Sequence, residues 1–213
     1  MTGKIGILGS GQVAQTLGAG FIKHGYSVMV GSRHPSKLEE WKQKTGNVQT
    51  GSFEEAADFG NIVVLAVKGT AAEELVGSVR ASLSGKTVLD ATNPIAEAPP
   101  ENGVLKFFTT LDDSLLERLQ RLAPEANFVK AFNSVGSVRM INPKLESRPT
   151  MFICGNNDKA KEEAKTILDQ FGWDTADMGK AQSARAIEPL CILWCIPGFL
   201  KNQWTHAFKL LNS

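Results

Sequence analysis

The residues best suited to do chemistry lie between Ile5 and Arg33, which read IGILGSGQVAQTLGAGFIKHGYSVMVGSR. Within them the turn Gly9-Ser10-Gly11-Gln12-Val13-Ala14 has the spacing G-x-G-x-x-G/A that brings a dinucleotide to a strand–helix junction. Gly9 allows the tight turn, Gly11 lets a pyrophosphate approach the backbone, and Ala14 is small enough for the helix to pack on the sheet. The helix that follows offers unpaired N–H groups and the positive end of its dipole to phosphates. Gly9, Ser10, Gly11, Gln12 and Val13 are therefore expected cofactor contacts.

The end of the second strand selects the cofactor. A protein that takes NAD places Asp or Glu there, about 20 residues beyond the glycines, to accept from the ribose 2′-hydroxyl. Here Ser32 and Arg33 stand in that place, Lys37 follows one helical turn later, and no carboxylate occurs before Glu39. A hydroxyl and two cations suit a 2′-phosphate, and an Arg plane can also stack on adenine. NADP(H) is the expected cofactor, read by Ser32, Arg33 and Lys37.

These residues need a frame to position them, and the rest of the chain alternates strand and helix without linker or repeat. Lys4–Leu8 reads as a buried strand, and Val13, Leu17, Phe21 and Ile22 recur at helical spacing behind the turn. Pro35–Lys44 reads as a helix, Asn47–Thr50 as a third strand, and Ser52 with Glu55 as a capping box. Ile62–Val67 is a continuous apolar strand of the kind buried in parallel sheets. A helix at Ala71–Leu83, a strand at Thr87–Ala91, a surface loop at Glu97–Gly103, a helix at Leu111–Leu122 and a strand at Phe128–Phe132 follow. Further on come a strand at Thr150–Cys154, a helix at Asn157–Phe171, a strand at Trp173–Asp177, an apolar stretch Gln182–Phe199 broken by Pro189 and Pro197, and a terminal helix at Gln203–Leu211.

The order implies an α/β fold, a doubly wound Rossmann-type, mostly parallel sheet with a small C-terminal α/β extension. Residues 1–149 would form the NADP-binding domain. Residues 150–213 would cap the acceptor site or contact a second subunit as a homodimer. Ligands in such sheets bind beyond the carboxyl ends of the strands, so Lys68-Gly69, Thr92-Asn93-Pro94 and Asn133-Ser134-Val135 should converge on one crevice.

Composition narrows the function. A net charge of +1 argues against a nucleic-acid or membrane-surface partner. No uninterrupted apolar run approaches the roughly 20 residues that span a bilayer, and the chain enters its first strand too soon for a signal peptide, so the cytoplasm is the expected compartment. Three cysteines, Cys154, Cys191 and Cys195, lack metal-ligand spacing, and no metal is expected. Nor is there a Ser-Tyr-x-x-x-Lys set or a His-Asp pair for oxidising an alcohol. No catalytic side chain is assigned; Asn93-Pro94 and Asn133-Ser134 are expected to shape the acceptor side, with Asn133 and Ser134 as substrate contacts. A hydride passing between a nicotinamide and a flavin-like ring needs little acid–base help.

The segments GILGSGQVAQTLG, VMVGSR, LAVK, DATNP, VKAFNSV, FICGNNDKAKE and SARAIEPL together resemble the NADP oxidoreductases dependent on coenzyme F420, a deazaflavin. They are also similar to the nucleotide-binding domain of STEAP-type ferric reductases. The resemblance implies that Ser32, Arg33 and Lys37 hold the 2′-phosphate. It further implies that Ala66, Val67, Lys68, Asn93, Pro94 and Ala131 lie near the nicotinamide, and that a second ring stacks against it. F420, a flavin or another small hydride acceptor is the implied co-substrate. Two alternatives stay open. One is an imine or hydroxyacid reductase, against which Gln182–Glu188 lacks the expected lysine. The other is an NADPH-binding sensor without catalysis.

Overall fold

The computed structural model describes residues 3–211. Strand β1 (Lys4–Leu8) leads through the glycine turn into α1 (Gln12–Lys23) and returns as β2 (Ser27–Gly31). A 3-10 turn at Pro35–Leu38 and α2 (Glu39–Thr45) precede β3 (Val48–Gly51). Next come α3 (Phe53–Phe59), β4 (Ile62–Leu65), α4 (Ala72–Ser78), α5 (Arg80–Leu83) and β5 (Thr87–Asp90). After a long loop, α6 (Leu115–Leu122) leads to β6 (Asn127–Lys130). The chain closes with β7 (Thr150–Gly155), α7 (Asp158–Gln170), β8 (Asp174–Asp177), α8 (Ala184–Ile187) and α9 (Leu190–Lys201).

The eight strands form one sheet in the order β3-β2-β1-β4-β5-β6-β7-β8. Six of the seven pairings are parallel, and β7 alone runs antiparallel to its neighbour β6, pairing Val129 with Gly155. The first six strands have the doubly wound order, with the crossover reversing between β1 and β4. Successive side chains of a strand point to opposite faces, so residues two apart share a core. Ile5, Ile7, Val28 and Val30 meet Leu17 and Phe21 of α1 on one face. Val63, Leu65 and Val88 meet Leu75 of α4 and Leu116 and Leu119 of α6 on the other. Phe21 also packs on Phe171, with ring centroids 4.9 Å apart; burying each such ring contributes roughly 1.5–3 kcal/mol.

Local signals place the helix starts. Ser52 accepts from Glu55 N–H at 3.1 Å while Glu55 returns the bond to Ser52 N–H at 2.7 Å, completing the expected capping box. Ser114 and Glu117 do the same for α6, which begins there and not at Leu111. The helix expected at 71–83 is interrupted at Val79, where ψ is 16°, and becomes α4 and α5.

The C-terminal stretch departs most from expectation. Pro197 lies inside α9 and does not break it, and Pro189 stands at its N-cap. Ala181–Lys201 becomes a nearly continuous helical run of 21 residues, within which an 18-residue window has a mean hydropathy of 1.3 and is one-third buried, long and apolar enough by those criteria to cross a membrane. Leu193, Phe199 and Leu200 on it are exposed. No helix forms at Gln203–Leu211. Asn202 ends α9 in the left-handed conformation (φ 53°), and the tail then spends its backbone groups elsewhere. Trp194 Nε1 donates to His206 O at 2.9 Å, Thr150 N–H to Phe208 O at 2.9 Å, and Leu210 N–H to Thr150 Oγ1 at 3.1 Å. Carbonyls and N–H groups committed to β7 and α9 cannot also close helical turns.

Candidate active site

The glycine turn is built by the sheet beneath it. Gly9 has φ 141°, a conformation that side chains rarely adopt, and a Cβ there would overlap the Ala66 carbonyl at the end of β4. Its N–H donates to Gly31 O at 3.0 Å, tying the turn to the end of β2. Gly11 is different. It caps α1 with an ordinary φ of −76° and no side-chain cap, and a Cβ at this position would meet nothing within 4 Å. The start of α1 thus presents its free N–H groups to open space, with Ala14 buried against the turn.

A cleft of about 520 Å³ opens over this turn. It brings together Gly9, Ser10 and Gly11 with Ser32, Arg33 and Lys37 at one end and Ala66, Val67 and Lys68 along the side. Ser32 is buried and fixed: its N–H donates to Gly51 O at 3.0 Å, and its hydroxyl donates to Ser10 Oγ at 3.3 Å and accepts from His34 N–H at 3.1 Å. Arg33 and Lys37 are exposed, and the nearby Glu39 and Glu40 pair with Lys42 and Lys44 instead. The cations at this end are therefore available to an anion. Gln12 and Val13 do not line the cleft; they are the first two residues of α1, so their N–H groups lie at its free end.

The loops beyond β5 and β6 meet each other, but mostly out of solvent, and Asn93 does not line the cleft on which they were expected to converge. Asn93 Nδ2 donates to Asn133 O at 2.8 Å, and Asn133 Nδ2 donates to Asn93 Oδ1 at 3.2 Å and to Ile187 O at 3.0 Å. Pro94, Ala131, Asn133 and Ser134 are buried, and none of them lines the large cleft. Phe132, buried between them against Phe171, has φ 61°, a strained conformation for a bulky residue.

Two groups of residues escaped the sequence reading. One wall of the cleft is Phe53 at the start of α3 with Ala71, Glu74, Leu75 and Ser78, which recur at i, i+3, i+4 and i+7 on one helical face. That spacing was visible, but not which face it would turn to a ligand. The second group is ionic. Lys130 is 0% exposed and lies 2.6 Å from Asp90 Oδ2 and 2.9 Å from Glu188 Oε1. Burial alone would push its pKa down, but the two carboxylates hold the ammonium well above its ordinary value. Burial pushes the thiol of nearby Cys154 up to about 12. The only signal for this cluster was a charged residue closing each of two apolar strands and a glutamate within AIEPL.

A cleft at the switch point of a doubly wound sheet, ending on a hydroxyl and on cations that have no ion-pair partner among the described residues where an NAD site has a carboxylate, is a Rossmann-type site suited to NADP(H). Residues 4–94 match the family described as NADP oxidoreductase, coenzyme F420-dependent. The chain is 30% identical over 214 residues to the metalloreductase STEAP3 of Rattus norvegicus, an alignment that covers 98% of this chain and 41% of that protein. It thus spans less than half the length of the metalloreductases it matches. It is 26% identical over 222 residues to the F420-dependent NADP reductase of Methanothermobacter marburgensis, covering 97% and 99% of the two chains. The crystal structure of a candidate F420-dependent NADP-reductase from Arthrobacter sp. FB24 superimposes with a TM-score of 0.92 at 27% identity, covering 99% of this chain and 100% of the other.

Proposed function

We propose that the protein carries a hydride between NADP(H) and a deazaflavin such as coenzyme F420 or a related flavin-like ring. The observation that carries this reading is the end-to-end match, 97% of one chain and 99% of the other, to an F420-dependent NADP reductase. When bound, NADPH supplies the hydride from its nicotinamide, which is neutral when reduced and cationic when oxidised. The remaining work falls to this chain's residues.

The start of α1, with Gly9 to Val13, would hold the pyrophosphate by N–H groups that have no helical partner. Ser32, Arg33 and Lys37 would hold the 2′-phosphate, with the Ser32 hydroxyl already fixed by its neighbours. Ala66, Val67 and Lys68 would flank the nicotinamide. Asn93, Pro94 and Ala131 would set its depth, while Asn133 and Ser134 would shape the acceptor side. Because Ala131, Asn133 and Ser134 are buried, they would act through the position of their loops, not by open contact. Holding two rings face to face and excluding water is itself a large part of such a catalyst's effect.

Steady-state NADPH oxidation against F420, FMN, a quinone, a cyclic imine and a 2-keto acid tests the reading. Turnover with F420 or FMN supports it. Turnover confined to the imine or keto acid would make the protein a reductase of those substrates, and binding of NADPH without any turnover would make it a sensor.

A further inference from the structure

Two of the sequence motifs, VKAFNSV and SARAIEPL, meet in the interior and not in the cleft. Lys130, which closes β6, faces Asp90 at the end of β5 and Glu188 between α8 and α9. Each carboxylate also accepts from donors of its own. Asp90 Oδ1 accepts from Thr92 N–H at 2.9 Å and from the Thr92 hydroxyl at 2.6 Å. Glu188 accepts from the N–H groups of Leu115 and Leu116, the first two residues of α6, both at 3.0 Å. Two such hydrogen bonds suit a charged carboxylate. Counted as formal charges, two carboxylates and one ammonium sum to −1, with the N-terminal N–H groups of α6 set against Glu188. Asn133 Oδ1 adds a buried oxygen that receives no donor among the described residues.

One short stretch of backbone connects this cluster to the cleft. Lys130 Nζ donates to Thr92 O at 2.9 Å. The carbonyl of the next residue, Asn93, presses on Gly69 so closely that a Cβ there could not be accommodated. Gly69 directly follows Lys68, which lines the cleft. The formal negative charge therefore lies behind the crevice wall, out of water, where it is little screened. Lys68, by contrast, is exposed.

We propose that the Asp90–Lys130–Glu188 cluster biases the nicotinamide end of the cleft toward the oxidised, cationic ring. The protein would then hold NADP+ more tightly, relative to NADPH, than neutral surroundings would, and bound NADPH would be a stronger hydride donor. The inference rests on the NADP(H) reading above. Contacts to adenosine, pyrophosphate and 2′-phosphate are common to both redox forms, so they cancel in the ratio of dissociation constants. Only what senses the ring's charge survives in that ratio.

Calorimetric titration of the full chain with NADP+ and with NADPH gives the ratio directly. Glu188→Gln and Asp90→Asn each remove one charge, from different sides of the cluster. In either, the ratio of the NADP+ to the NADPH dissociation constant should rise by about threefold to thirtyfold, the size of effect a unit charge exerts over roughly 10 Å at an effective dielectric of about 20. Glu163→Gln removes a carboxylate bonded to Thr87 at the opposite end of β5 and should leave the ratio unchanged. A purely structural cluster would weaken both nucleotides together. An unchanged ratio in either variant, with native circular dichroism, would therefore overturn the proposal. A wild-type protein that binds neither nucleotide would instead overturn the NADP(H) reading beneath it.

Discussion

Replacing Gly9 with alanine and Gly11 with valine perturbs one turn in two different ways. At Gly9 the backbone has φ 141°, and the new Cβ would run into the Ala66 carbonyl, which is backbone at the end of β4 and cannot swing aside. Holding a residue with a side chain in such a region costs about 1–3 kcal/mol before the overlap is counted. With the overlap, a loss of about 3 kcal/mol or more is expected, which for a chain of this size lowers the melting temperature by roughly 6–12 °C. At Gly11 the φ of −76° suits any residue, and the space around the new Cβ is open. The cost to the empty protein is then only that of a poorer N-cap, about 0.5–1 kcal/mol. The valine methyls would instead occupy the space through which the phosphates reach the α1 N-terminus. Losing even one hydrogen bond to a charged group costs roughly 1.5–3 kcal/mol, so NADPH binding should weaken by about tenfold or more. Thermal melts and calorimetric NADPH titrations of both variants separate the two effects. A Gly11→Val protein that titrates like wild type would refute the placement of the pyrophosphate. A Gly9→Ala protein that melts with wild type would refute the claim that the Ala66 carbonyl demands glycine.

The other expectations concern charge. Arg33→Ala should weaken NADPH by roughly tenfold to a hundredfold and NADH hardly at all, because a charge-assisted bond is lost only where a 2′-phosphate is present; equal losses would remove the 2′-phosphate from this end of the cleft. Glu117, hydrogen-bonded to Arg185 at 2.7 and 2.9 Å, has its pKa held below the ordinary 4.5 chiefly by that partner. A lowered folded-state pKa stabilises above the unfolded value, and that stability is lost as pH falls through the folded one. Glu117→Gln should therefore melt lower than wild type at pH 7, with the gap closing below about pH 4.5; a gap independent of pH would show that the pair contributes shape, not charge.

What the sequence determined by itself was mostly local. The glycine turn, the helix behind it and the Ser32-Arg33 ending are encoded within a few residues of one another, and so is the Ser52–Glu55 capping box, because a cap or a turn is satisfied by the neighbours it is written beside. The parallel order β3-β2-β1-β4-β5-β6 followed from alternating strands and helices, since crossovers leave few other arrangements. Tertiary structure alone decided the rest. The antiparallel entry of β7 depends on how a long loop returns, and the fate of Gln203–Leu211 depends on partners in β7 and α9 that claim its backbone groups before a helix can. The cleft wall on α4 was legible as a helical face but not as a ligand's neighbour. The charges that close two apolar strands and the glutamate in AIEPL were visible, but not that Asp90, Lys130 and Glu188 would meet. Three charges in three apolar segments are each a liability where they stand, and they become tolerable only when the sheet and the C-terminal helices bring them within hydrogen-bonding distance of one another.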